Sequence, residues 1–471
     1  MLKKLAEPYV VGVGSRFLGQ MISFAAVAIA SRFLDLQAFG TYSLAWAVTV
    51  IANTFVFTGF YQALLRSTEF ERDRDSLFWL MAAVGAAGSA VILGIGLAAG
   101  GLSTPTGWAL CALAPQPLLI VPTAWWEAQL VRARRARAAS LYVVAAETAG
   151  LATAWAMLRA GWGIEALVAS RYVSTAVGLA LTGGLVRALP RLSFNRETRG
   201  TAGRTAYPLW GTSSVGMFSN YGADLILGAF LHAVAVGAYR GGARIAVTAS
   251  DLVLQPLMML SWSRFTRLEK ENAPLDDLRR TWLDNMGVAA AILWPVAASV
   301  ALLAPALVVT ILDETWLPAA GVVSILSASR AVSFLTALLE PTMMCTGRAG
   351  TQLRIRGFGA VTLLVLLLIF GRHGAEAAAL AHLCASALVA VVALTAMVRA
   401  LRITGSQLAQ VFLPGLVLTL FTVLAILGTD LPRDMLGRDL GLAATLGAVM
   451  LTWGAFMAVF LHRRVLVLPT P

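Results

Sequence analysis

Charge is what this sequence has least of. Only 13% of its 471 residues are charged against 58% hydrophobic, and the mean hydropathy is +0.77. Such a chain has too little polar surface to enclose a core in water, which excludes the soluble globular classes and leaves an integral membrane protein. Long polar stretches are missing too: none is much longer than Ser263 to Asn285, so no water-soluble domain is expected. Cysteine is scarce. Cys111, Cys345 and Cys384 sit in apolar segments, at spacings that suit neither a disulfide framework nor a metal. The four histidines, His232, His373, His382 and His462, are scattered, which argues against an acid–base or metal site. A GxxxxGK[ST] phosphate loop is absent, so the chain is not expected to hydrolyse ATP itself. The first apolar run extends to Leu34, too long for a cleaved signal, and reads as the first span of the mature protein.

Long apolar runs are what the sequence has in quantity. A spanning helix needs roughly 20 mainly apolar residues, and these runs are hydrophobic all round rather than alternating, so they are helices and not barrel strands. Fourteen spans are predicted near 9–34, 39–65, 77–100, 106–130, 140–160, 165–187, 207–232, 236–261, 286–311, 317–346, 355–371, 374–398, 410–428 and 440–461. The fold class is therefore an all-α polytopic membrane protein. The formal charge of +12 falls in short basic clusters between apolar runs. With the N-terminus inside, inner segments hold 26 of the 36 basic residues and outer segments hold four, Arg159, Arg372, Arg433 and Arg438. That asymmetry predicts cytoplasmic termini, and it reads the charge as topology rather than as a nucleic-acid partner.

One cadence occurs twice. FLDLQAFGTYSLA begins at Phe33 and FLHAVAVGAYRGG at Phe230, with Phe33, Leu34, Ala38, Gly40 and Tyr42 matched by Phe230, Leu231, Ala235, Gly237 and Tyr239 at a constant offset of 197. Each copy covers the outer end of one helix, a short turn and the start of the next, joining helices one and two and then seven and eight. Gly14 with Gly211, Ala26 with Ala223 and Ile29 with Ile226 echo the register. Glu127 and Arg135 repeat the spacing of Glu340 and Arg348. A duplicated bundle in parallel orientation is a transporter architecture. The expected organisation is an N-terminal lobe over 1–190, a cytoplasmic linker over 191–206, a C-terminal lobe over 207–400 and a terminal helix pair over 401–471. Gly40 and Gly237 are expected to serve tight turns, and Tyr42 and Tyr239 to sit in interfacial aromatic belts.

Fourteen helices in two six-helix lobes plus a pair, with GSRFLGQ near Gly14 and ADLILGAFLHAVAVGAYRGGARI, resemble the Wzx-type polysaccharide flippases. These belong to the MOP exporter superfamily, which also holds MATE-type drug exporters and the lipid II flippase. The resemblance covers nearly the whole chain, and its motifs are loose patterns. It implies a MATE- or MurJ-like fold that is not an enzyme. It also implies transfer of undecaprenyl-diphosphate-linked O-antigen or exopolysaccharide repeat units from the inner to the outer leaflet of a bacterial cytoplasmic membrane, by alternating access. The implied partners are that lipid-linked oligosaccharide, membrane lipids and other polysaccharide-assembly proteins. No cofactor is expected beyond coupling to a proton or sodium gradient. A MATE-type exporter and a lipid II flippase are alternatives on the same fold. A polysaccharide polymerase or ligase is a remote one, because the longest outer segment, around Thr429 to Asp439, has only about ten residues.

Ionisable residues inside spans are costly and mark cavities or partners. A diphosphate or uronic acid needs planar, permanently charged donors, and guanidinium supplies them. The candidate substrate-binding residues are thus Arg16, Arg171, Arg240, Arg244 and Arg330; Arg240 also has the option of snorkelling to the outer surface. Coupling or gating candidates are the carboxylates Asp224, Asp251, Glu147 and Glu340, with Glu127 nearer a helix end. A hairpin centred near Val234 places Asp224 and Arg244 at equal depth, which predicts an ion pair between them, either a structural staple or a gate. Arg240, Arg244 and Asp251 share one helical face. Arg32 reads as interfacial, with Asp35 three positions on. Prolines in helices four, eight, nine and ten predict kinks. RLSFNRETRGTAGRT at 191–205 reads as a solvated linker near anionic headgroups, and the amphipathic stretch at 266–285 as a short helix on the inner face.

Overall fold

The computed structural model describes residues 18–429, 438–463 and 466; Arg16 and Gly14 lie outside them. Every regular element among the described residues is helical. Twelve helices are long and apolar enough to cross a membrane, and α1 (Leu18–Ala30) is a shorter apolar helix. With the 35-residue α10 (Arg196–Phe230), which is too polar along its length to qualify, they account for the fourteen expected segments. The chain divides into two compact units, Met1–Arg240 and Gly241–Pro471.

The first unit runs through α2 (Leu36–Phe57), α3 (Phe60–Arg66), α4 (Phe70–Ala98), α5 (Pro105–Leu113), α6 (Gln116–Leu119), α7 (Val121–Arg132), α8 (Ala136–Arg159), α9 (Ile164–Val186) and α10 into α11 (Ala233–Lys270). Breaks fall where residue type demands them. Gly59 has φ +60°, which only glycine adopts without strain, and it separates α2 from α3. The fourth span is three helices, because Pro115 precedes α6 and Pro122 stands in the first turn of α7, each lacking the N–H that would continue a helix. The core packs around the fully buried Trp125 with Leu64, Leu77 and Met81. Arg132 donates to the carbonyls of Leu64, Leu65 and Ser67 at 3.3, 2.9 and 2.8 Å, and so satisfies the open end of α3. The stretch at 191–205 differs from the expected solvated linker. It is helical from Arg196, and it is bound to α4 through Trp79 Nε1 on the Arg191 carbonyl (3.0 Å) and Thr198 Oγ1 on Asp73 (2.7 Å).

The repeated cadence is a contact rather than a turn. Gly40 and Gly237 lie inside helices, and neither has a positive φ. A Cβ on Gly40 would stand 1.8 Å from the Ala233 carbonyl oxygen, and one on Gly237 would stand 2.1 Å from the Leu36 carbonyl oxygen. Leu36 and Ala233 are themselves 197 apart, so each copy presses its glycine on the equivalent carbonyl of the other. Such reciprocity is the mark of a local two-fold. Tyr42 and Tyr239 are 6% and 4% exposed, so they are core residues and not members of an aromatic belt. Asp35 is the N-cap of α2, accepting from Ala38 N at 2.7 Å.

The second unit continues α11 into α12 (Leu275–Leu302), α13 (Ala304–Ile311), α14 (Ala320–Ser333), α15 (Leu339–Cys345), α16 (Ala349–Phe370), α17 (Ala375–Leu401), α18 (Gly405–Gly428) and α19 (Arg438–His462). Its core surrounds Trp282, which is fully buried with Phe265, Phe334, Met343 and Met397. The stretch at 266–285 forms no separate helix. α11 runs on to Lys270, Asn272 turns the chain at φ +48°, and α12 begins at Leu275. The ninth span breaks before Pro305, at the start of α13, whereas Pro295 stays inside α12.

Candidate functional site

Three described arginines of the sequence-predicted set are each held by a carboxylate, and the partners differ in part from those expected. In α9, Arg171 donates from Nε to Tyr42 Oη (3.0 Å) and from one terminal nitrogen to Glu147 of α8 (3.3 Å), with its guanidinium 4.7 Å over the Trp46 ring. In the hairpin of α10 and α11, Asp224 pairs with Arg240 at 2.8 Å, and not with Arg244. The chain reverses at Leu231 and His232 rather than at Val234, so the residue level with Asp224 comes one helical turn earlier. The contact lacks the alignment of a hydrogen bond, and Arg240 also lies 4.5 Å over the Tyr221 ring. In the second unit, Arg330 of α14 donates to Ser250 Oγ (2.7 Å) and to Asp251 of α11. The expected stripe of Arg240, Arg244 and Asp251 is therefore divided among different partners. Arg244 is half-buried on α11. Glu340 is bound by Arg356 of α16.

Within the first unit, Arg171 and Glu147 line a cavity of about 270 Å³ with Trp46, Asn53, Thr54, Gln116, Ser174 and Thr175. A water occupies about 30 Å³ of liquid, so the space takes several waters or one small polar group. Gln116 accepts from Thr175 Oγ1 at 3.0 Å, while its Nε2 and Asn53 Oδ1 are buried without a hydrogen-bond partner among the described residues. A buried polar atom left unmatched is costly, so both suit a site that admits water or ligand. Arg171 spends Nε and one terminal nitrogen on protein partners, and its fork has five N–H groups. Donors thus remain to meet an anion. The uncharged members of this lining escaped the sequence reading, which followed charge; the polar Asn53 and the proline-flanked Gln116 inside apolar spans were their only signal.

Duplication is visible in these positions as well. The offset of 197 carries Asn53 and Thr54 onto Ser250 and Asp251, the residues that hold Arg330. The offset of Glu127 to Glu340, which is 213, carries Gln116 onto Ser329; Thr175 bonds the former and Ser386 the latter (2.9 Å). Both units thus repeat a polar link at matching places, whereas the arginine stands on α9 in one and on α14 in the other.

The fold and the sequence have recognisable relatives. A solved structure of the "Lipid II flippase MurJ, inward closed conformation" matches with a TM-score of 0.77, covering 96% of this chain and 98% of its own at 10% identity. An inward-facing "multidrug resistance MATE family transporter of the MOP superfamily" matches with a TM-score of 0.65, covering 82% and 96% at 15% identity. At those identities the likeness is one of fold: the multi-pass helical fold of the MurJ and MATE structures. No curated protein matches the chain by sequence. The profile of the family described as "Polysaccharide biosynthesis protein" matches residues 29–321, more than half of the chain. This multi-pass membrane protein, with an arginine poised in a polar cavity of its first unit, belongs to the polysaccharide biosynthesis protein family.

Proposed function

We propose that the chain is a flippase for undecaprenyl-diphosphate-linked oligosaccharide repeat units. It carries them from the inner to the outer leaflet of a bacterial cytoplasmic membrane by alternating access, with both termini in the cytoplasm. The observation that carries this reading is the arginine at the polar cavity within a family of polysaccharide biosynthesis proteins. A diphosphate presents oxygens at the spacing of a guanidinium fork, and the remaining Arg171 donors suit that geometry. Arg240 and Arg330 extend the same chemistry, each able to exchange its carboxylate for a phosphate oxygen, and Arg244 adds a further guanidinium. Anionic recognition separates this reading from a drug exporter, whose cationic substrates an arginine repels.

The test is flipping of a fluorescent undecaprenyl-diphosphate oligosaccharide in liposomes holding the purified protein, with a quencher on one side. Protein-dependent translocation that falls at least tenfold in Arg171→Ala, at unchanged expression, supports the reading. Gradient-driven efflux of a cationic dye without lipid flipping assigns the protein to the drug exporters instead.

A further inference from the structure

Seven carboxylates fall within the predicted spans. Glu165 and Glu376 are exposed in the first turns of α9 and α17. Of the other five, four have an arginine: Glu147 has Arg171, Asp224 has Arg240, Asp251 has Arg330 and Glu340 has Arg356. Glu127 has none among the described residues. Its two oxygens instead accept hydroxyls, Oε1 from Tyr61 of α3 at 3.1 Å and Oε2 from Tyr142 of α8. The contrast is sharpest with Glu340, its counterpart at an offset of 213. Both are gripped across a short hairpin from 15 or 16 residues further on, one by a tyrosine and the other by an arginine. The charges on the elements around Glu127 are exposed, as Arg66 of α3 and Arg137 of α8 are, or engaged elsewhere. Arg132 on its own helix is bound to three carbonyls of the α3 end. On α4, Arg74 pairs with Glu71 and Asp75. On α9, Arg171 is held by Glu147, and α2 and α6 carry no charged residue.

We propose that Glu127 is the proton-binding site that couples this protein to a pH gradient, and that its protonation resets the junction of α3, α7 and α8. A carboxylate paired with arginine keeps its charge at little cost, whereas one held only by neutral donors in a buried setting can be neutralised by a proton alone. The proton adds to one carboxyl oxygen, which becomes a donor and a poorer acceptor. Both tyrosine bonds then lose the help of the negative charge, and the weaker of the two links is the first to open. Of the two, Tyr61 stands on the shorter piece, seven residues joined to α2 through the break at Gly59, while Tyr142 belongs to a 24-residue helix. The link to α3 is the one that yields.

The proton site is tested first without any substrate. Dicyclohexylcarbodiimide modifies protonated carboxyls in apolar surroundings, and mass spectrometry of the full-length protein in lipid nanodiscs locates the adduct. Labelling at Glu127 is expected to rise as pH falls from about 8.5 to about 5.5, with Glu147 and Glu340 unlabelled. In Tyr142→Phe, which removes a donor to the ionised form, the midpoint moves to higher pH. No labelling of Glu127 across that range, or equal labelling of Glu340, overturns the proposal. Only the second arm rests on the transport reading above. There, an imposed pH gradient accelerates flipping of the probe lipid in the unmodified protein and not in Glu127→Gln; equal acceleration in both overturns it. Labelling as expected with no flipping of the probe lipid supports the proton site and sinks the substrate assignment alone.

Discussion

Replacing Gly40 by alanine adds one methyl group where the two copies of the cadence meet. The new Cβ would stand 1.8 Å from the Ala233 oxygen, while ordinary Cβ contacts begin above 3.0 Å, so α2 and α11 must part by about 1.2 Å (3.0 − 1.8). Both sides of the contact are backbone, so no side chain can swing away. Forcing an extra carbon into packed structure costs about 1–3 kcal/mol, and a backbone clash this deep belongs at the upper end. Alanine returns up to about 1 kcal/mol as the better helix former. The net loss is about 2 kcal/mol, or about thirtyfold in the ratio of folded to unfolded protein. Gly237→Ala requires about 0.9 Å (3.0 − 2.1), so a separation that admits the first methyl admits the second. The double variant should therefore be little worse than Gly40→Ala alone. Gly94→Ala is the control: no atom lies within 4 Å of its added Cβ, and only the propensity gain remains. Thermal unfolding of the four purified proteins in one detergent decides the matter. Gly40→Ala as stable as Gly94→Ala, or strictly additive losses in the double variant, would refute the reasoning.

Two further outcomes follow from buried partners. Asp224→Asn leaves Arg240 without its counter-charge, and Arg240→Gln strands Asp224; each single change should destabilise by about 3–5 kcal/mol. The double neutral variant should recover part of that, as read by monodispersity after extraction, and a double variant worse than both singles would contradict the pairing. Trp210 donates from Nε1 to the Phe55 carbonyl at 3.0 Å, where α2 ends. Trp210→Phe keeps the ring contact with Phe60 and removes that bond, at a cost of about 1–3 kcal/mol. Faster hydrogen exchange over 60–66 is the expected signature; unchanged exchange there would show that the indole does not hold the break.

How legible the chain was depended on what each feature requires. Span count followed from hydropathy, since a bilayer admits few alternatives to a long apolar helix. The breaks at Pro115, Pro122 and Gly59 lie at residues that cannot continue a helix or that favour a left-handed backbone, yet only the prolines announced themselves. Register at a turn was harder. A shift of two residues in the α10–α11 reversal moved the Asp224 partner from Arg244 to Arg240, because one helical turn of error exchanges one arginine for the next. Tyr42 read as interfacial by its place near a span end, and only the packing of α9 shows its hydroxyl turned inward to Arg171. Neutral polar residues such as Asn53 and Gln116 carry no long-range signal, so the cavity was invisible until α2, α6, α8 and α9 met around it.

Arg132 carries a consequence for how the chain is made. During insertion into the membrane, a positive charge beside an apolar segment serves as an address, and any lysine or arginine nearby delivers it equally well. After insertion the same residue has a second duty that depends on its position, because one terminal nitrogen must reach three carbonyls from Leu64 to Ser67. Moving the charge by one position along RARRAR would leave the targeting message intact and strand the helix end it serves. Biogenesis and folding thus read one residue in two languages, and only the second is particular about where it stands.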